Sequence, residues 1–149
     1  KHDQALNCLA EAMRVYELFS EEMGEKLIEV AELKADSLFK VEDFEAAVSV
    51  LQDCIDSLDS GEHEDDNSQE SHHLYDERAA RVYYKMGHAY GELGEYDDAF
   101  DSYREAISVF SHVLGENNIR VGEVMYDVGM LTVDQGGCDM PERAVECFN

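Results

Sequence analysis

Small and large apolar residues follow one another along this chain in a helical stripe that returns at long intervals. Ala99, Tyr103 and Ala106 stand four and then three positions apart, which sets them on one face of a helix. The same order recurs at Ala47/Leu51/Cys54, 52 positions upstream, and at Ala5/Leu9/Ala12, a further 42 upstream. It returns at Ala144/Phe148, 45 positions downstream, so the period is about 42 with insertions of 10 and 3. The pattern predicts seven helical segments, over 2–19, 25–40, 44–58, 74–93, 96–114, 119–134 and from Pro141 onward. Residues 20–24 are expected to turn between the first two, and Val41 to Asp43 to form a tight turn. Gly94 and Gly115 stand where helix C-termini need residues tolerant of positive φ, and Asn117 and Asn118 can cap the helix that follows. Gly136 and Gly137 are expected to end that helix, and Pro141 to open the last one.

A stripe repeated at a fixed long period predicts an all-α solenoid of helical hairpins. Two or three residues between paired helices force them antiparallel. The segment 59–73 has six acids, no Lys or Arg and no apolar residue, and reads as a solvated, flexible acidic loop. The whole of 1–149 is expected to be one repeat domain, with the loop as an insertion that such arrays tolerate. Because helix patterns run into both ends, the chain reads as a piece of a longer protein.

Charge narrows the partners. There are 35 acids against 11 bases, a net charge of -24. Nucleic acid is excluded, because binding its backbone needs Lys and Arg to displace counterions. An anionic membrane is disfavoured for the same reason, and no apolar run approaches the ~18 residues of a membrane span. The blander reading is that the charge only keeps an exposed helical surface hydrated. The cysteines, Cys8, Cys54, Cys138 and Cys147, form no C-x-x-C pair and read as reduced thiols of a cytoplasmic protein.

The segment Ala80 to Val113 resembles the tetratricopeptide repeat. Tyr83, Met86, Gly87 and Tyr90 stand at the large, large, small and aromatic positions of its first helix. Gly94 and Tyr96 stand at its turn, and Ala99, Tyr103 and Ala106 on its second helix. Ala35, Leu38, Phe44, Ala47 and Leu51 fit in the first unit, with Lys34 at a usually apolar place. Gly129, Gly136, Ala144 and Phe148 fit in the third. The long period, and the run Val113-Leu114-Gly115-Glu116-Asn117-Asn118 followed by Val121, resemble the extended repeats of the kinesin light chain family. Asn118 and Ile119 replace that family's His-Pro pair. The resemblance implies a right-handed superhelix whose first helices line a concave groove.

On that resemblance the groove positions are Arg81, Tyr84, Lys85, His88 and Glu92 in the middle unit. They are Glu123, Tyr126, Asp127, Met130 and Asp134 in the third, and Glu29, Glu32, Asp36, Phe39 and Lys40 in the first. Spacings of three and four set each group on one helix face. The light chains' asparagines at the fifth and sixth positions are replaced here by Tyr84/Lys85, Tyr126/Asp127 and Glu32/Leu33, so the asparagine ladder is missing. A clamp for a terminal carboxylate needs several basic residues, and only Arg81 and Lys85 are available.

The expected function is therefore a non-catalytic scaffold that binds a partner peptide or domain, with basic or aromatic residues, in the groove. Tyr84, Tyr126 and Phe39 are its expected anchors. The alternative is a structural spacer or self-association unit of a larger protein. No phosphate-cradling glycine loop, G-x-S-x-G or H-E-x-x-H occurs, so no enzyme and no cofactor are expected. The acidic frame Asp59 to Glu70 lacks the central glycine of a calcium loop, so no metal is expected either.

Overall fold

The computed structural model describes residues 2–17, 20–59 and 77–134. They form α1 (His2–Glu17), α2 (Ser20–Phe39), α3 (Phe44–Asp59), α4 (Glu77–Leu93), α5 (Tyr96–Leu114) and α6 (Ile119–Asp134), with no strand among them. Of the expected loop over 59–73 only Asp59 is described, and it is helical, the last residue of α3; the rest of that loop, the glycines 136 and 137 and the helix from Pro141 lie outside the described residues. The chain divides into two compact units, Lys1–Leu74 and Tyr75–Asn149.

In the first unit α2 packs against both α1 and α3. Its core is the expected stripe: Ala35, Ala47, Leu51 and Cys54 are buried, joined by Leu27, Ile28, Ala31, Leu38, Val50 and Ile55. Two expectations are corrected. The segment 20–24 is helical, because α2 begins at Ser20. A glycine inside a helix costs only ~1 kcal/mol, so Gly24 weakens a helix there without forbidding it. In α1, Ala5 is exposed and Met13 is buried, with Leu6, Leu9, Ala12 and Tyr16 half-buried. The inward face of α1 is thus Leu6/Leu9/Met13/Tyr16, one position round from the stripe the repeat suggested.

The turn from α2 to α3 satisfies the orphan carbonyls of a helix end in the Schellman pattern. The Asp43 N–H donates to the Leu38 carbonyl at 3.1 Å and the Glu42 N–H to the Phe39 carbonyl at 3.1 Å, with Glu42 at φ 60. The turn from α4 to α5 repeats it. The Glu95 N–H donates to the Tyr90 carbonyl at 2.9 Å and the Gly94 N–H to the Gly91 carbonyl at 3.1 Å, with Gly94 at φ 76. Asp43 then caps α3, its carboxylate accepting the Ala46 N–H at 3.2 Å.

In the second unit α5 packs against both α4 and α6. Ala80, Ala99, Phe100, Tyr103, Ala106, Ile107, Phe110, Val121, Val124 and Val128 form one buried cluster, with Tyr83, Tyr90 and Met125 packed on it. Gly87 is the seat that lets α4 and α5 approach: a Cβ there would lie 2.6 Å from the Tyr103 ring. Asn118, not Asn117, caps α6, its side chain accepting the Arg120 N–H at 2.9 Å.

Candidate functional site

The repeat register turns one face of α4 and one face of α6 away from the buried cluster. Both carry the polar and aromatic residues singled out from the sequence. On α4, Arg81, Tyr84 and Lys85 are half-buried, and His88 and Glu92 are exposed. On α6, Asp127 is half-buried, while Glu123, Tyr126 and Met130 are exposed.

Asp127 ties the two helices together. Tyr84 donates its hydroxyl to Asp127 Oδ2 at 2.5 Å, and His88 Nε2 lies 3.3 Å from the same oxygen. Three rings close around this carboxylate. His88 stands edge-on to Tyr84 at 5.4 Å and to Tyr103 at 6.3 Å, and Tyr84 and Tyr103 are 6.0 Å apart. Burial pushes the Tyr84 phenol well above its ordinary range, and the hydrogen bond to Asp127 and its charge push further. Tyr103 moves the same way, by burial first and then by the charge of Asp127. Both phenols are thereby held as neutral hydrogen-bonding groups.

Beside the knot lies an open pocket of about 200 Å³, lined by His88, Gly91, Glu92, Tyr96, Tyr103, Asp127, Met130 and Leu131. Gly91 keeps α4 close to α6 here: a Cβ on it would sit 3.0 Å from Leu131. The sequence pattern assigns Tyr103 to the core and Tyr96 to the turn, and marks neither Gly91 nor Leu131. Nothing in a single-helix pattern identifies residues that meet across two helices, although a second glycine four positions after Gly87 is the available signal.

The anchors expected from the sequence separate into two kinds. Tyr126 is 68% exposed and stands in register with the exposed Met130 and Val133, an apolar strip along α6. Tyr84 is instead bound into the knot. In the first unit Phe39 packs on Phe44 across the turn, ring centroids 5.8 Å apart. Glu32 and Asp36 are half-buried on α2. The charge of Glu32 adds to burial in pushing the Cys54 thiol up to about 12.

Among the described residues no group of His, Cys, Asp and Glu could hold a metal ion. No described helix is long and apolar enough to cross a membrane. Residues 78–147 match the family model described as Tetratricopeptide repeat. That stretch takes in α5, α6 and all of α4 after Glu77, and it contains Gly87, Gly94, Ala99, Tyr103 and Ala106. No curated protein and no solved structure matches the chain. The matched stretch is similar to that family in sequence, and among its described residues α5 packs against both α4 and α6.

Proposed function

We propose that the chain is a non-catalytic protein-binding scaffold of the cytoplasm, built of extended repeats like those of the kinesin light chains. A partner peptide or domain bearing basic or aromatic residues docks on the α4–α6 face. The observation that carries this reading is the division of labour around Asp127. It locks Tyr84 and His88 into a fixed floor, and Tyr126 and Met130 are left presented on the helix beside it. Rigid aromatic anchors on a pre-organised floor are what a docking surface needs, since little side-chain freedom is lost on binding. The acids around it steer a basic partner. Arg81, Lys85, Glu32, Asp36 and Phe39 belong to the same reading, the last three as the corresponding face of α2 in the first unit.

The test is capture from a library of basic and aromatic-bearing peptides on the full chain, followed by affinity at low salt and at ~0.5 M salt. Binding should weaken severalfold at the higher salt and severalfold again in Tyr126→Ala with Met130→Ala, while the melting temperature of the double variant stays near that of the parent. Affinity indifferent to both changes overturns the reading. Concentration-dependent dimers with no captured peptide would favour the self-association role instead.

A further inference from the structure

The geometry points to a specific occupant for the pocket beside Asp127: the guanidinium end of one arginine side chain of the docked partner. This deepens the binding reading above and rests on it. Three observations carry it.

The first is unspent acceptor capacity. Both contacts to Asp127 fall on Oδ2. Among the described residues Oδ1 has no partner, and Glu92 lines the same pocket. A carboxylate has room for several donors, so the pocket is built to receive hydrogen-bond donors.

The second is Tyr103. Only 2% of it is exposed, and it lines the pocket. Its hydroxyl meets no hydrogen-bond partner among the described residues, yet no buried side-chain oxygen there is left unsatisfied, so the accessible part of this phenol opens on the pocket. An accessible, unpartnered hydroxyl on an otherwise buried ring, in a pocket that Asp127 also lines, is a second acceptor for an incoming donor.

The third is the character of the remaining walls. Tyr96, Tyr103 and His88, three aromatic rings, and Met130 also line the pocket. A flat, weakly hydrated guanidinium stacks on such surfaces and spreads its donors over two acceptors. A compact, strongly hydrated ammonium fits them less well. An anion is excluded by Asp127 and Glu92. The volume, about 200 Å³, holds several waters at ~30 Å³ each and therefore the planar end of one side chain.

The test uses N-acetyl-arginine amide, with the lysine and citrulline counterparts, titrated into isotopically labelled full chain and followed by NMR. Citrulline keeps the shape and loses the charge. The arginine probe should give saturable shifts concentrated at Gly91, Met130 and Leu131, with citrulline at least about tenfold weaker and lysine between them. Glu92→Gln, a change at an exposed position, should weaken the arginine probe severalfold with the fold intact, and Asp127→Asn should weaken it more. Equal shifts from arginine and citrulline, or arginine shifts scattered over the acidic surface, overturn the proposal. If the probe fails while library capture still depends on Tyr126 and Met130, the pocket assignment falls and the docking face stands. If the probe binds as described and no library peptide is captured, the pocket stands and the docking face falls.

Discussion

The Tyr84 hydroxyl donates to the Asp127 carboxylate across 43 positions of chain, joining the outward face of α4 to that of α6. A part-buried hydrogen bond to a charged acceptor contributes about 1.5–3 kcal/mol, less where water competes. Tyr84→Phe should therefore cost about 1 kcal/mol, and Asp127→Asn somewhat more, because His88 shares the same oxygen. The two changes meet in one interaction, so the double variant should cost clearly less than their sum. Urea midpoints at unchanged slope measure this. Strict additivity would show that the bond contributes nothing.

Gly87 and Tyr103 set the distance between α4 and α5. A Cβ 2.6 Å from ring carbons cannot be accommodated without displacing the ring. Gly87→Ala should destabilise by about 1–3 kcal/mol, as overpacked cores do, even though alanine is the better helix former. Gly122 supplies the control: it lies in α6, and a Cβ added there would meet nothing within 4 Å. Gly122→Ala should be neutral or stabilising by up to about 1 kcal/mol. Opposite signs for the two substitutions in thermal melts are the expected result, and Tyr103→Leu should recover part of the Gly87→Ala loss.

Glu42 and Gly94 occupy the same seat in two successive hairpins, 52 positions apart, the interval that also separates Ala47 from Ala99. Both residues lie at positive φ, 60 and 76, inside matching hydrogen-bond patterns. For a residue with a Cβ that conformation costs roughly 1–2 kcal/mol, so the α2–α3 turn carries a strain that the α4–α5 turn avoids. Glu42→Gly should raise stability by about 1 kcal/mol, offset in part by the greater freedom of glycine in the unfolded chain. Gly94→Ala should lower it by a similar amount. Melting temperatures of the two variants moving in the same direction would contradict this.

What can be read in the sequence is whatever a single helix face encodes. The Ala47/Leu51/Cys54 and Ala99/Tyr103/Ala106 stripes are buried as the spacing requires, because small residues at those places serve the packing of a neighbouring helix. The bounds of α5 and α6 follow from Gly94, Gly115 and Asn118, whose side chains or conformational freedom act within one turn of chain. The start of α2 is hidden because a glycine such as Gly24 suits a turn and is also tolerated, at ~1 kcal/mol, inside a helix. Ala5 is misplaced by a repeat register laid over a helix whose inward face runs through Leu6, Leu9 and Met13 and shares Leu9 with the expected stripe. The site shows the same division. Register nominates Tyr126, Asp127, His88 and Met130, but not the binding of Asp127 to Tyr84 and His88, nor the pocket that Tyr103 and Gly91 share with them. Those relations lie between helices, and no local period carries them.

Alkaline pH probes the buried groups of both units. Burial raises the Cys54 thiol from an ordinary 9.0 to about 12, and raises the phenols of Tyr84 and Tyr103 above their ordinary 10.0. In each case the folded state holds the proton more tightly than the unfolded chain does. The stability linked to these groups is thus fully present below about pH 9 and is lost progressively as pH rises through the folded values. Melting temperature should be flat up to about pH 9 and fall steadily above it, with the Cys54 contribution spent near pH 12. Asp127→Asn removes the charge that raises both tyrosines, so a fraction of the tyrosinate absorbance should appear earlier in the titration. Cys54→Ala, which places at 54 the residue that Ala106 supplies in the next hairpin, should delay the onset of the fall. The exposed Cys8 should alkylate in the native protein while Cys54 reacts only on unfolding, as peptide mapping would report. Native labelling of Cys54 at the rate of Cys8, or a melting temperature that rises above pH 9, would refute the burial of Cys54 and Tyr103 and the shielding of Tyr84.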